Sequence, residues 1–269
     1  MFVAEKPSLR EGYYAVPGAR AASLETDLLA SLHGDEIEVL FQPQYRVSDD
    51  KIYGAEALTR WRHPTLGTIG APELFSVAER AGCVEQVSQR IFRIALSHAS
   101  HWPKGLSLSL NATPGELIEN RFVEKLSAMA AWARRDPASI TVEITEDALL
   151  DDIERAGEAS HRLQQLGFKV ALDDFGAGFC NFSYLKRLSL DSLKLDRSMI
   201  EGLTYDDRDV AVLRGIVAMA KALSLDVVAE GVERGSQLEI IRQEGCHIYQ
   251  GYLRATPMAP ETFTQLVRR

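Results

Sequence analysis

Short apolar runs recur along this chain, and seven of them close on a side chain bearing oxygen or nitrogen. They end at Glu56 after Tyr53-Gly54-Ala55, Asn111 after 106–110, Glu143 after Ile140-Thr141-Val142, the pair Asp173-Asp174 after Val170-Ala171-Leu172, Lys194 with Asp196, Glu230 after Val227-Val228-Ala229, and Gln250. Successive gaps from Glu56 are 55, 32, 30, 21, 36 and 20 residues, close to the roughly 30 residues of a strand–helix–strand unit. Between the runs the apolar period changes to that of helices, predicted over 71–81, 84–102, 114–133, 151–166, 183–187, 206–223, 236–244 and 260–268. A first strand is predicted over 38–45, with Pro43 marking its end or an edge. Before it, Leu24, Leu28, Leu29 and Leu32 recur at helical spacing behind Ser23 as N-cap, and Gly34 stops the helix. Residues 1–22, with Pro7, Gly12, Pro17 and Gly18, lack a period and read as linker.

Alternation of this kind predicts an α/β fold with a mainly parallel sheet. Polar residues at so many strand ends favour a TIM-like (β/α)8 barrel, whose chemistry gathers at the C-terminal ends of its strands. The expected organisation is a linker and first helix over 1–33 and one barrel over 34–269.

Composition narrows the function. At 269 residues, 46% hydrophobic and 25% charged, the chain can fill a barrel core. A net charge of -8 argues against a nucleic-acid polymer as partner, because such binding neutralises phosphates with clustered Lys and Arg. Cys83, Cys180 and Cys246 are too scattered for a disulfide framework, which points to a reducing compartment and a cytoplasmic location. The most apolar helical stretch, 210–225, is interrupted by Arg214 and Lys221, and residues 1–10 carry Glu5 and Lys6 without an apolar core. Neither a membrane span nor a signal peptide is expected.

Glu56, Glu143, Asp173, Asp174 and Glu230 would bring five carboxylates to one barrel face. Two unit charges ~4 Å apart repel by about 4 kcal/mol at an effective dielectric near 20, so such a cluster must bind cations or take up protons. Oxygen ligation with the Asn111 amide suits Mg²⁺ or Mn²⁺, and adjacent Asp173 and Asp174 suit two metals sharing a carboxylate. Taken singly, an acid after a strand is most often a helix cap or a solvated group. Lys194 reads either as a barrel-interior ion pair or as a point charge beside a nucleophilic water, and Arg60 either grips phosphate or pairs with a local acid. Gly176 and Gly178 fit a tight turn as well as a mobile lid. His98 and His101, i and i+3 on a helix, have no further ligands nearby in sequence.

The ordered set Glu56-Ala57-Leu58, Asn111, Glu143-Ile-Thr-Glu146, Asp173-Asp-Phe-Gly176, Leu193-Lys194-Leu-Asp196, Glu230-Gly-Val-Glu233 and Gln250-Gly251 resembles the EAL-domain cyclic-di-GMP phosphodiesterases from about Gly34 onward. The resemblance implies a TIM-like barrel with one antiparallel strand. It implies hydrolysis of cyclic-di-GMP to linear 5′-pGpG by a water activated between two Mg²⁺ or Mn²⁺ ions; the longer oxygen distances of Ca²⁺ and its weaker acidification of water make that ion an expected inhibitor. Glu56, Asn111, Glu143 and Asp173 would hold one metal, and Asp173, Asp174 and Glu230 the second. Lys194 and Gln250 would orient the water, and together with Glu230 and Asp174 form the catalytic group. Gln42, Leu58 and Arg60 match positions that contact the dinucleotide, and Glu146 matches a residue that anchors the loop after Asp174. Ala177, Cys180-Asn181 and Thr113 depart from the commoner Thr, Ser-Ser and Ser. A homodimer is expected, as is an upstream GGDEF or sensory domain if the chain is a cytoplasmic module of a longer protein. Two other readings stay open: a catalytically silent cyclic-di-GMP receptor, and an enolase-like barrel in which Lys194 is the base.

Overall fold

In the computed structural model, which describes residues 18–119, 121–145, 152–177 and 182–268, a closed barrel carries the helices on its outside. Glu146, Cys180 and Asn181 lie outside the described residues. The elements are α1 (Gly18–Ser31), β1 (Ile37–Arg46), β2 (Ile52–His63), β3 (Gly67–Gly70), α2 (Ala71–Ala81), α3 (Val84–Ala99), β4 (Ser107–Ala112), α4 (Pro114–Leu117), α5 (Phe122–Trp132), β5 (Ile140–Thr145), α6 (Ile153–Gln165), β6 (Lys169–Phe175), α7 (Phe182–Arg187), β7 (Ser192–Leu195), α8 (Arg197–Glu201), α9 (Asp207–Ala222), β8 (Asp226–Ala229), α10 (Gly235–Glu244), β9 (Ile248–Gln250) and α11 (Pro260–Val267).

Strands β2, β4, β5, β6, β7, β8 and β9 run parallel in that order, and β1 closes the ring by pairing antiparallel with both β2 and β9. The expected single antiparallel strand is therefore β1. Pro43 lies inside it, opposite Ala55 of β2. Its missing N–H faces the other flank, where β9 pairing starts only at Gln44 and Phe41 bonds instead to Met258, so no ladder bond is lost.

Strand alternation sorts the chemistry. Leu108, Leu110, Val142, Ile144, Val170, Leu172, Leu193, Leu195 and Val227 are buried in the apolar core, and each such leucine or valine contributes about 1.5–3 kcal/mol. Their alternate neighbours Ser109, Thr141, Glu143, Ala171, Ser192 and Lys194 line a cavity of about 210 Å³ inside the barrel. The lumen is thus polar, and its upper layer is the charged cluster described below.

Some boundaries differ from the sequence expectation. Helix α1 begins by Gly18, and Ser23 is inside it with Oγ 3.4 Å from Asp27, because 19–22 contains three alanines that favour helix. Strand β2 continues seven residues past Glu56 and folds back as β3, so Glu56 is mid-strand; its pairing with β4 nonetheless stops there. The helix expected over 114–133 is two, α4 and α5, because Leu117 and Phe122 are both buried and residues five apart in a continuous helix point about 140° apart. Asp196 is a helix cap: its carboxylate accepts from the Ser198 N–H at 3.0 Å, opening α8. Asp206 caps α9 in the same way.

Candidate active site

Lys194 stands on the inward face of β7 with its side chain 1% exposed. Its ammonium lies 2.7 Å from Glu143, 2.8 Å from Glu230, 3.0 Å from Asp173 and 3.5 Å from Glu56. These acids come from β5, the end of β8, β6 and β2, so separate strands supply each charge. The Asn111 amide on β4 donates to Glu56 Oε1 at 2.9 Å. The Gln250 amide on β9 donates to Glu56 Oε2 at 2.7 Å and to Glu230 Oε1 at 3.1 Å. Of the two expected readings of Lys194, the barrel-interior ion pair is the one this geometry shows, with four acids around one ammonium.

The electrostatics follow from burial. Four carboxylates against one ammonium leave three negative charges if all ionise, in a site nearly closed to water. Burial drives Glu143 well above the usual carboxylate range, raises Asp173, and pushes Glu230 up to about 8. Burial acts upward on Glu56 too, but Lys194 and the N–H donors of Gln250 and Asn111 outweigh it and hold that carboxylate down. Burial pulls Lys194 down, but Asp173, Glu143, Glu230 and Glu56 outweigh it and raise Lys194 well above its ordinary value. Held by four carboxylates, Lys194 is the counter-charge of the cluster in this arrangement.

Asp174 stands apart from the buried cluster, at a break in the strand. Regular alternation would send it to the opposite side from Asp173. Instead Asp174 has φ +55, and the β6–β7 register shifts between Leu172 and Phe175. This irregularity leaves Asp173 buried and Asp174 exposed at the rim, with the Asp174 N–H on Asp173 Oδ1 at 2.9 Å. Burial and then the Asp173 charge bring Asp174 up to about 6.

Glu56, Glu143 and Asp173 each offer a carboxylate oxygen within 4.8 Å of the other two, and all three are buried. Uncompensated charge and an all-oxygen donor set fit a hard divalent cation such as Mg²⁺ or Mn²⁺. Asn111 and Gln250 bind into this group through Glu56, and Glu230 through Lys194 and Gln250.

The EAL domain profile matches residues 25–257. The chain belongs to the EAL domain family. It is 34% identical over 259 residues to cyclic di-GMP phosphodiesterase NbdA of Pseudomonas aeruginosa, covering 94% of this chain and 33% of that protein. A second cyclic di-GMP phosphodiesterase of the same organism is 32% identical over 254 residues, covering 93% and 43%. The chain thus spans less than half the length of these relatives. Among solved structures, the PaMucR phosphodiesterase in complex with c-di-GMP superposes with a TM-score of 0.83 at 29% identity, covering 90% of this chain and 99% of that one. The EAL enzyme Bd1971, with cAMP and cyclic-di-GMP bound, gives 0.86 at 25% identity, covering 93% and 69%.

Within this EAL domain, Gln42, Leu58 and Arg60 share the strand face that carries Glu56 but take no part in the cluster's bonding. Gln42 is opposite Glu56 in the β1–β2 register, and its amide donates to the Ala255 carbonyl at 2.8 Å. Leu58 and Arg60 follow Glu56 at two-residue steps, hence on its face, and are half-buried. The Arg60 guanidinium donates to the Thr59 carbonyl at 2.7 Å. One buried polar neighbour was missed from the sequence: Gln44, 3% exposed, donates to Gln250 Oε1 at 3.1 Å. The signal was the pair Gln42-Pro43-Gln44, which puts two amides on one strand face. Gly54 explains how β2 sits so close to β4, because a Cβ there would lie 2.1 Å from the Ser107 carbonyl.

Proposed function

We propose that this EAL domain is a metal-dependent phosphodiesterase that hydrolyses cyclic-di-GMP to linear 5′-pGpG. The observation that carries the reading is the convergence of Glu56, Glu143, Asp173 and Glu230 on Lys194 in a buried, oxygen-rich cluster. Relatives named as cyclic di-GMP phosphodiesterases and a fold neighbour in complex with c-di-GMP support the substrate.

Glu56, Asn111, Glu143 and Asp173 would hold one divalent ion, and Asp173, Asp174 and Glu230 a second, with Mg²⁺ or Mn²⁺ the fitting choices. Two such ions, when bound, supply the Lewis acidity that activates water and stabilises the leaving oxygen. The chain's own residues do the rest. Lys194 keeps a positive charge at Nζ, offsetting the phosphate and donating hydrogen bonds toward the attacking oxygen. Gln250 presents its amide N–H groups to the same space. Gln42, Leu58 and Arg60, arrayed along one face of β1 and β2, would seat the dinucleotide, with Arg60 leaving the Thr59 carbonyl to meet phosphate. The free, buried Cys83 and Cys246 agree with a cytoplasmic setting. A homodimer and an upstream GGDEF or sensory domain in a longer protein complete the proposal.

Incubation of the purified chain with cyclic-di-GMP and Mg²⁺, resolved by chromatography, tests it. A pGpG product carrying oxygen-18 from labelled solvent on its 5′-phosphate is the expected result. Tight binding of cyclic-di-GMP with no pGpG in either Mg²⁺ or Mn²⁺ would overturn it in favour of a receptor.

A further inference from the structure

Gln44 faces Gln250 across the antiparallel β1–β9 ladder, and its opposite number on β2 is Gly54, which has no side chain. Its amide therefore has one cross-strand partner. The Gln44 Nε2 donates to Gln250 Oε1 at 3.1 Å in a buried contact, while Gln250 Nε2 donates to Glu56 and Glu230 at 2.7 and 3.1 Å. An amide end holds one oxygen and one NH2, so committing the oxygen to Gln44 commits the NH2 to the carboxylates. The reverse orientation would press the Gln250 oxygen against two carboxylate oxygens, and its NH2 would meet the Gln44 NH2 unless the Gln44 amide turned over as well.

We propose that Gln44 is a positioning residue that fixes Gln250 as a hydrogen-bond donor toward the acidic cluster. An oxygen held by Gln250, whether of water or of phosphate, is then held as an acceptor, with its own protons directed elsewhere. The consequence for turnover rests on the phosphodiesterase reading above; the orientation of Gln250 does not.

Two arms separate these. In the metal-free protein, the Gln250 side-chain amide is identified in a proton–nitrogen NMR spectrum by its loss in Gln250→Ala. Gln44→Met, which fills the space without a donor, is expected to shift that signal and speed its exchange with solvent. In the Mg²⁺-loaded enzyme, Gln44→Met should lower kcat by about tenfold, the equivalent of one buried hydrogen bond, with KM little changed. Gln44→Glu should lose more, because a carboxylate accepts from the Gln250 NH2 and turns its oxygen into the site. Adding Gln44→Met to Gln250→Ala should cost nothing further, since a residue acting through Gln250 has no effect once that amide is gone. A Gln250 signal unmoved by Gln44→Met, or additive losses in the double variant, would overturn the proposal. If Gln44→Met lowers the melting temperature, Gln44→Leu, which also lacks a donor and adds no charge, is read by the same two arms. Absence of hydrolysis by the parent chain would defeat the phosphodiesterase reading alone, leaving the NMR arm to decide the role of Gln44.

Discussion

Lys194 Nζ lies 2.7 Å from Glu143 Oε2, with both side chains 1% exposed. Both charges are shielded from bulk solvent, so each depends on the other for compensation. Lys194→Met would leave Glu56, Glu143, Asp173 and Glu230 without their shared cation. Breaking a buried ion pair from one side costs roughly 3–5 kcal/mol, or a melting temperature lower by roughly 10 °C for a chain of this size. The loss should appear in EDTA at mildly alkaline pH and be largely reversed by Mg²⁺, which replaces the missing positive charge. Equal melting temperatures for variant and parent in EDTA would mean the carboxylates do not depend on Lys194.

Gly54 tests the close approach of β2 to β4. A Cβ there would sit 2.1 Å from the Ser107 backbone oxygen, and backbone cannot step aside as a flexible side chain can. Gly54→Ala should destabilise the fold by about 1–3 kcal/mol as overpacking does. It should also weaken any Mg²⁺-induced rise in melting temperature, because Glu56 is two residues away on the same face. Gly115, in α4 with nothing within 4 Å of a new Cβ and no positive φ, is the control; Gly115→Ala should be neutral or stabilising by up to about 1 kcal/mol. Similar melting curves for the two variants would contradict this account.

The sequence made the barrel legible because its strands alternate apolar outside and polar inside, so the acids that close the apolar runs are also the ones that meet at Lys194. Glu143, Asp173 and Glu230 could be assigned to one face on that pattern. What it concealed was local. The bulge that brings Asp174 to the rim depends on a backbone twist that no composition rule announces, since φ +55 falls on an aspartate and not a glycine. Gln44 was hidden by Pro43, which reads as a strand end until pairing on the other flank is known. Asp196 looked like a site residue because caps and ligands are drawn from the same side chains. Length also misled at Glu56, where β2 runs on into the β3 hairpin.

Glu116 provides a pH effect away from the acidic cluster. It closes a capping box with Thr113 at the start of α4, its carboxylate accepting from the Thr113 N–H and hydroxyl, both at 2.8 Å. Burial outweighs those bonds and pushes Glu116 up to about 6. The folded state therefore binds the proton more tightly than the unfolded chain, so the stabilisation is full below about 4.5 and is lost as pH rises through about 6, amounting to about 2 kcal/mol. Glu116→Gln keeps an acceptor for Thr113 without the charge. Melting temperatures across this range should show the variant gaining on the parent between those pH values and holding its lead above them. A constant difference would remove Glu116 as the cause.

Asp173→Asn separates metal holding from charge balance. Asp173 offers one of three buried carboxylates within reach of a single ion and also accepts from Lys194 at 3.0 Å. An amide keeps the shape but not the charge. In EDTA the variant should melt close to the parent, because Lys194 keeps Glu143, Glu230 and Glu56. A ligand at 100 times its dissociation constant stabilises by about 2.7 kcal/mol, and this metal-dependent rise should vanish with Asp173→Asn. A full Mg²⁺ shift in the variant would place the metal elsewhere.

Calcium discriminates binding from catalysis. The donors proposed for this site are carboxylates and an amide, which suit Ca²⁺ as well as Mg²⁺, but the preferred oxygen distances are about 2.3–2.6 Å against about 2.0–2.1 Å. Glu56, Glu143 and Asp173 are fixed by Asn111, Gln250 and Lys194, so the larger ion must spread a set of ligands that is already tied together. It also acidifies water less, which weakens the one contribution that the side chains cannot supply themselves. Ca²⁺ should therefore raise the melting temperature and support cyclic-di-GMP binding by calorimetry, yet give little pGpG, and added Ca²⁺ should inhibit the Mg²⁺-supported reaction competitively with the metal. Turnover in Ca²⁺ matching that in Mg²⁺, after trace Mg²⁺ is excluded, would show that ligand spacing does not limit the chemistry at this site.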